Sequence, residues 1–313
     1  MHNKKSVQSS KINQNKAYSH DQSGLLAIHT AVLLFGLSGV IGKSLDLPAV
    51  IITFARVFIS AIFLFLILTS KKEPVRIRSL RNFSPFLAAG LIMAIHWTTF
   101  LQSIRTSTVA IGTLTFSTFP LFVTFLEPYF FREKLKAGAV LEALGMLLGV
   151  SILVPEFEIG NRMTQGILWG MAGSISYAFL SLINRRLAEK YSGEQISFYE
   201  QFIATILLLP SLWLIPFKLS GKDIAGLLIL GIVCTGIGQA LFITGLKNVR
   251  VQTAGIISGL ESVYGILFAF LLLGEAPGIR EICGGMIILG ISTFTTLTSA
   301  RKKPRIDKKT SSE

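Results

Sequence analysis

Along the chain, apolar runs of about twenty residues alternate with short polar breaks, many of them basic. A hydrocarbon core of about 30 Å takes roughly 20 apolar residues of helix, so each run is read as a membrane span. The runs fall at about 24–44, 48–70, 83–104, 107–131, 137–154, 164–184, 195–217, 223–246, 250–273 and 279–299. They split into two sets of five, and an odd number of spans per set turns the second set over in the bilayer. The expected fold is an all-α integral membrane protein of ten transmembrane helices, built as two inverted five-helix repeats. Secondary transporters share this plan and bind solute near the midplane, where the halves meet. The polar residues 1–23 are expected to form a disordered cytoplasmic tail. Residues 24–154 form the first repeat, 155–163 a connecting loop, 164–299 the second repeat, and 300–313 a basic cytoplasmic tail.

The duplication also shows as residue identity. ITFARVFIS (52–60) and ISFYEQFIA (196–204) share four of nine residues. Further on, a shift of 142 lays Phe100 on Phe242, Arg105 on Lys247, Val109 on Val251 and Glu133 on Glu275.

Composition narrows the class. Charged residues make up 15% of the chain and hydrophobic ones 51%, against about 25% charged in soluble domains. A net charge of +13 suggests nucleic acid at first sight, but its distribution is one-sided. Of the Lys and Arg, 23 flank the side that carries both termini and 5 the other. This positive-inside bias places both termini in the cytoplasm, in a cell membrane read as a bacterial cytoplasmic one. Nucleic acid is not an expected partner; the tail Arg301-Lys302-Lys303-Pro304-Arg305 is placed to meet anionic membrane lipid. Cys234 and Cys283 both lie inside spans, with neither metal-ligand spacing nor a disulfide framework, so no metal site or cofactor is expected.

Two segments carry a family resemblance. LESVYGILFAFLLLGE (260–275) and FPLFVTFLEPYFFREKL (119–135) are similar to the stretch closing the ninth and fourth spans of EamA-type members of the drug/metabolite transporter superfamily. Phe54-Ala55-Arg56-Val57-Phe58 resembles that family's Arg-Phe pattern in span two. The chain departs from the pattern at Ser262, where the family has a proline, and at Glu200, an added charge in span seven. The resemblance implies a ten-helix carrier of small metabolites, often an exporter, with spans one, three, four, six, eight and nine around the pathway.

Charges within a span cost about 2.5–3.5 kcal/mol at the helix centre and so mark function or tight packing. Glu261 lies deepest, about 15 Å into span nine, just after Gly259 of a Gly255-x-x-x-Gly259 pair expected to permit close backbone approach. It is the candidate holder of a cationic solute group or a coupling proton. Arg56 and Glu200 occupy equivalent repeat positions with opposite sign. Their depths differ by roughly 10 Å, so a direct ion pair is not expected; either snorkels or serves a structural or gating role. Pro120 inside span four frees a backbone carbonyl, which membranes tolerate where neighbours or a cavity satisfy it. His96, Trp97, Phe119, Tyr177 and Gln239 complete the candidate substrate-binding set, as aromatic and amide groups suited to an amphipathic solute. Glu133 and Glu275 fit the family's turn-anchoring carboxylate.

The leading reading is a secondary transporter that moves a small organic metabolite, an amino acid, amine or related solute, by alternating access. No GxxxxGK[ST] loop is present to power it with nucleotide. Neither HExxH nor GxSxG is found, so no catalytic residue is assigned and an integral-membrane enzyme is disfavoured. A non-transporting membrane scaffold or sensor is the alternative. Oligomeric state is not encoded in any motif.

Overall fold

The computed structural model describes residues 2–72, 80–131, 137–156, 158–246 and 251–301. Glu133, Lys247 and the basic tail beyond Arg301 lie outside them. Every regular element among the described residues is helical. In chain order these are α1 (His2–Ser44), α2 (Ala49–Ser70), α3 (Leu80–Thr106), α4 (Val109–Phe116), α5 (Phe119–Phe131), α6 (Ala137–Leu153) and α7 (Arg162–Leu187). There follow α8 (Gly193–Leu208), α9 (Ser211–Leu214), α10 (Gly221–Leu228), a π-helical segment Ile229–Ile237, α11 (Gly238–Leu246), α12 (Val251–Leu273) and α13 (Ile279–Arg301).

Among the described residues, six helical stretches are long and apolar enough to cross a membrane: Ser23–Ser44, Ala49–Ser70, Phe83–Thr106, Arg162–Leu187, Gly193–Leu214 and Gly221–Phe242. Val109–Val123, Val140–Leu153 and Ile257–Leu273 are shorter apolar helices. Large apolar side chains such as Leu26, Leu141, Trp213 and Leu271 stand exposed around the bundle. So much exposed apolar surface is costly in water and costs little against acyl chains.

Helix starts are marked by side chains that accept the first free N–H groups. Thr108 caps α4 and Asn161 caps α7, while Ser192–Gln195 and Ser220–Asp223 form reciprocal capping boxes on α8 and α10. Apolar residues then join the rods. Val57, Phe86, Met93, Leu180 and Ile203 knit α2, α3, α7 and α8 together. Ile111, Leu114, Val150, Ile167 and Ile288 join α4, α6, α7 and α13.

The pairings form a regular set. α1 packs on α11 and α12, and α7 packs on α3, α4 and α5. The π-segment lies against α2 as α3 lies against α8; α2 meets α8, and α6 meets α13. The closest backbone approach in α12 is at Gly265, not at Gly259. A Cβ on Gly36 of α1 would sit 2.8 Å from the Gly265 nitrogen, whereas one on Gly259 meets nothing within 4 Å. The reason is helical phase: Gly259 lies roughly 40° from the exposed Val263, on the outward face of α12.

Candidate functional site

The apolar run 107–131 is not one rod. It breaks at Ser117–Thr118, between α4 and α5, because Pro120 has no N–H to give the carbonyl of Phe116. Two neighbouring helices repair the break. The Ser174 hydroxyl of α7 donates to Phe116 O at 3.2 Å and can accept from the Thr118 hydroxyl at 3.0 Å, in exchange for the Thr118 donation to Thr115 O at 2.7 Å. From α12, the Ser262 hydroxyl donates to Thr113 O at 3.0 Å and bonds the Ser117 hydroxyl at 2.7 Å. Where the related family carries a proline, this chain thus uses a serine that ties α12 to the broken helix.

Aromatic rings gather beside the break. Tyr177 of α7 meets Phe119 edge-on at 4.9 Å, Phe116 at 5.1 Å and His96 at 5.0 Å between ring centroids. Phe116 also contacts Phe100 at 5.3 Å. His96 is buried, with its Nδ1 hydrogen-bonded to Gly173 O at 2.9 Å, so a backbone carbonyl of α7 orients the ring. Glu261 lies on the face of α12 opposite Val263, in the electrostatic field of both Arg56 and Tyr177. Its carboxylate makes no hydrogen bond to the described residues.

Arg56 is fully enclosed and does not snorkel. Its Nε and Nη2 donate to the Thr235 hydroxyl at 3.2 and 3.0 Å, and its guanidinium carbon lies 3.5 Å from the Trp97 ring centroid. The π-helical segment makes this possible by presenting Thr235, whose hydroxyl bonds back to Leu230 O at 2.8 Å. One face of Trp97 is therefore taken by a cation of the protein itself. Glu200 is also buried, bonded to the Asn184 side chain on α7, and forms no ion pair with Arg56.

The structure thus brings His96, Trp97, Phe119, Tyr177 and Glu261 to one region, with Pro120 at its broken helix and Arg56 behind Trp97. Gln239 on α11 is half-buried and joins none of these contacts. Phe100, Phe116, Thr235 and Asn184 are absent from the sequence-based set. Phe116, three residues before Phe119 in the same apolar run, carried the only readable signal.

Beyond the cluster, one end of the bundle is laced shut. Lys43 of α1 pairs with Glu275 at 2.5 Å and donates to Ser107 O at 2.6 Å. Glu275 also accepts from Val109 N at 3.1 Å, and Glu281 accepts from the Thr108 hydroxyl at 2.7 Å. Arg105 donates to Leu45 O at 2.6 Å. Residues 45–48, 106–108 and 274–278 are therefore clasped together. At the other end, Lys71–Glu194 and the Arg186 donation to Phe130 O join neighbouring helices in pairs, α2 with α8 and α7 with α5.

Apolar spans, a helix broken in mid-run and a ring-lined polar centre define a multi-pass membrane protein of the transporter kind. The profile of the EamA-like transporter family matches residues 22–154 and again 164–297, and the chain belongs to that family. Among its relatives, the uncharacterized transporter YxxF of Bacillus subtilis is 24% identical over 90% of this chain and 93% of that one. The pseudopaline exporter CntI of Pseudomonas aeruginosa is 22% identical over 86% and 94%. An S-adenosylmethionine uptake transporter of Rickettsia conorii is 26% identical over 78% and 81%. A solved crystal structure shares the fold with a TM-score of 0.63, at 19% identity over 90% of this chain and 99% of the other.

Proposed function

We propose that the protein is a secondary carrier of ten spans in two inverted five-helix repeats, moving a small amine-bearing organic solute across the cytoplasmic membrane by alternating access. The observation that carries this reading is the break at Ser117–Thr118 beside the Tyr177 cluster and Glu261. Discontinuous helices near mid-depth, with their freed backbone groups held by neighbours, are where such carriers bind solute. Two further features support it. The family profile matches twice in tandem. Exchanging the halves also maps the pairings of α1 with α11 and α12 onto those of α7 with α3, α4 and α5.

In this reading Glu261 takes the solute's amine, while Tyr177, Phe119 and Phe116 cover its apolar part. The basic bias puts both termini in the cytoplasm, so the Lys43–Glu275 clasp is the closed outer gate. Relatives named for export of pseudopaline and for uptake of S-adenosylmethionine support a small-metabolite cargo. The test is flux of radiolabelled S-adenosylmethionine and a panel of amino acids into proteoliposomes. Glu261→Gln is expected to lower flux of the accepted solute at least about tenfold, the loss of a buried charge-assisted bond. Full flux in that variant removes Glu261 from the site.

A further inference from the structure

Most buried polar groups in the bundle find partners, and the exceptions call for a physical reason. Two of them sit on one hydrogen-bonded pair. The Asn184 side chain of α7 bonds to the Glu200 carboxylate of α8. The amide N–H₂ is the donor of that bond, since a carboxylate only accepts. Glu200 Oε1 and Asn184 Oδ1 are both buried and both without a partner. Oε2 of Glu200 therefore accepts the amide N–H, and each planar group keeps one oxygen with no donor to meet it. The pair is one hydrogen short.

Among the described side chains, no neighbouring element supplies that hydrogen as a cation; Arg81 of α3 lies outside them. On α2, Arg56 is engaged with Thr235 and has Cys234 and Glu261, not Glu200, in its field; Lys71 is paired with Glu194 of α8 itself. On α3, His96 faces Gly173 O, and Arg105 lies at the clasped end. On α7, Tyr177 is the titratable group that shares a field with Glu200, while Arg185 and Arg186 are exposed. The described part of α11 has no titratable residue. Gly90 of α3 lets α8 close in: a Cβ there would lie 3.2 Å from Glu200 O. Two oxygens are also too few to replace a metal cation's ligand shell.

We propose that Glu200 and Asn184 form a proton-binding site. A proton from solvent adds to Glu200 Oε1, the new O–H donates to Asn184 Oδ1, and the existing N–H bond to Oε2 remains. The carboxyl and the amide then face each other through two antiparallel hydrogen bonds, both orphaned oxygens are satisfied, and the buried negative charge is gone. Given the carrier reading above, on which this role rests, the bound proton is the coupling ion, and Glu261 is left to the solute.

The deciding measurement is infrared titration of the full-length protein in lipid, with no solute present. A protonated-carboxyl C=O band is expected to grow on acidification and to vanish in Glu200→Gln. It should move to higher frequency in Asn184→Leu, which removes the amide, and persist in Glu261→Gln. A band untouched by Glu200→Gln, or no such band at any pH where the protein stays folded, overturns the proposal. Asn184→Leu guards against a misfolded Glu200 variant, because it reports a shift of the same band. In the proteoliposome assay with the amino-acid panel, a pH gradient is expected to speed wild-type flux about tenfold over that of Glu200→Gln. Equal stimulation of both removes the coupling role. Absence of wild-type flux for every solute bears on the carrier reading alone, since the infrared result does not depend on it.

Discussion

Arg56 and Glu200 are both shut away from solvent, at 0% and 2% exposure, yet they are housed in different ways. Positions 56 and 200 coincide when residues 52–60 are laid on 196–204. Arg56 carries a charge that it cannot shed, and its niche supplies an indole face and a hydroxyl acceptor. Glu200 carries a removable charge, and among the described side chains its niche offers one amide and no cation. The difference teaches that two buried charges at positions which align with each other need not be partners. One is a fixed charge cradled for good; the other is built around a proton that comes and goes.

Exchanging the two residues tests this most severely. Arg56→Glu with Glu200→Arg together is expected to abolish folded protein, because neither niche fits its new occupant; a wild-type yield on size-exclusion chromatography would break the comparison. Thr235→Val leaves two buried guanidinium donors unmet and is expected to cost about 2–3 kcal/mol in thermal stability, with Thr235→Ser restoring it. Trp97→Phe keeps a ring but weakens the cation–π contact, for a loss of about 1 kcal/mol. Glu200→Gln is expected to change stability by less than about 0.5 kcal/mol, because the new N–H₂ donates to Asn184 Oδ1 as the acid would. A large loss there would mean that the ionised form is what the fold requires.

Much of the scaffold was legible in the sequence because a membrane span announces itself by length and hydropathy. Pro120 likewise announced the freed carbonyl, since a missing N–H is a local fact, though the run 107–131 read as one unbroken span. The niches were not legible. Arg56 meets Thr235 across 179 positions, and only the π-helical turn aims that hydroxyl. Glu200 read as an unexplained charge because Asn184 belongs to the preceding helix, on a face that no periodicity marks as polar. Gly259 misled for a simpler reason: a GxxxG pair says that a helix face is smooth, and the phase of α12 turns that face outward.

The repaired break at Ser117–Thr118 has a consequence for how the chain is made. Phe116 O takes its hydrogen bond from Ser174, and Thr113 O takes one from Ser262, residues synthesised 58 and 149 positions later. When residues 109–131 leave the ribosome, neither donor exists. Phe116 O, which Pro120 cannot meet, therefore waits in the bilayer for a helix made later to complete it. At this point the segment 109–131 depends on helices made after it.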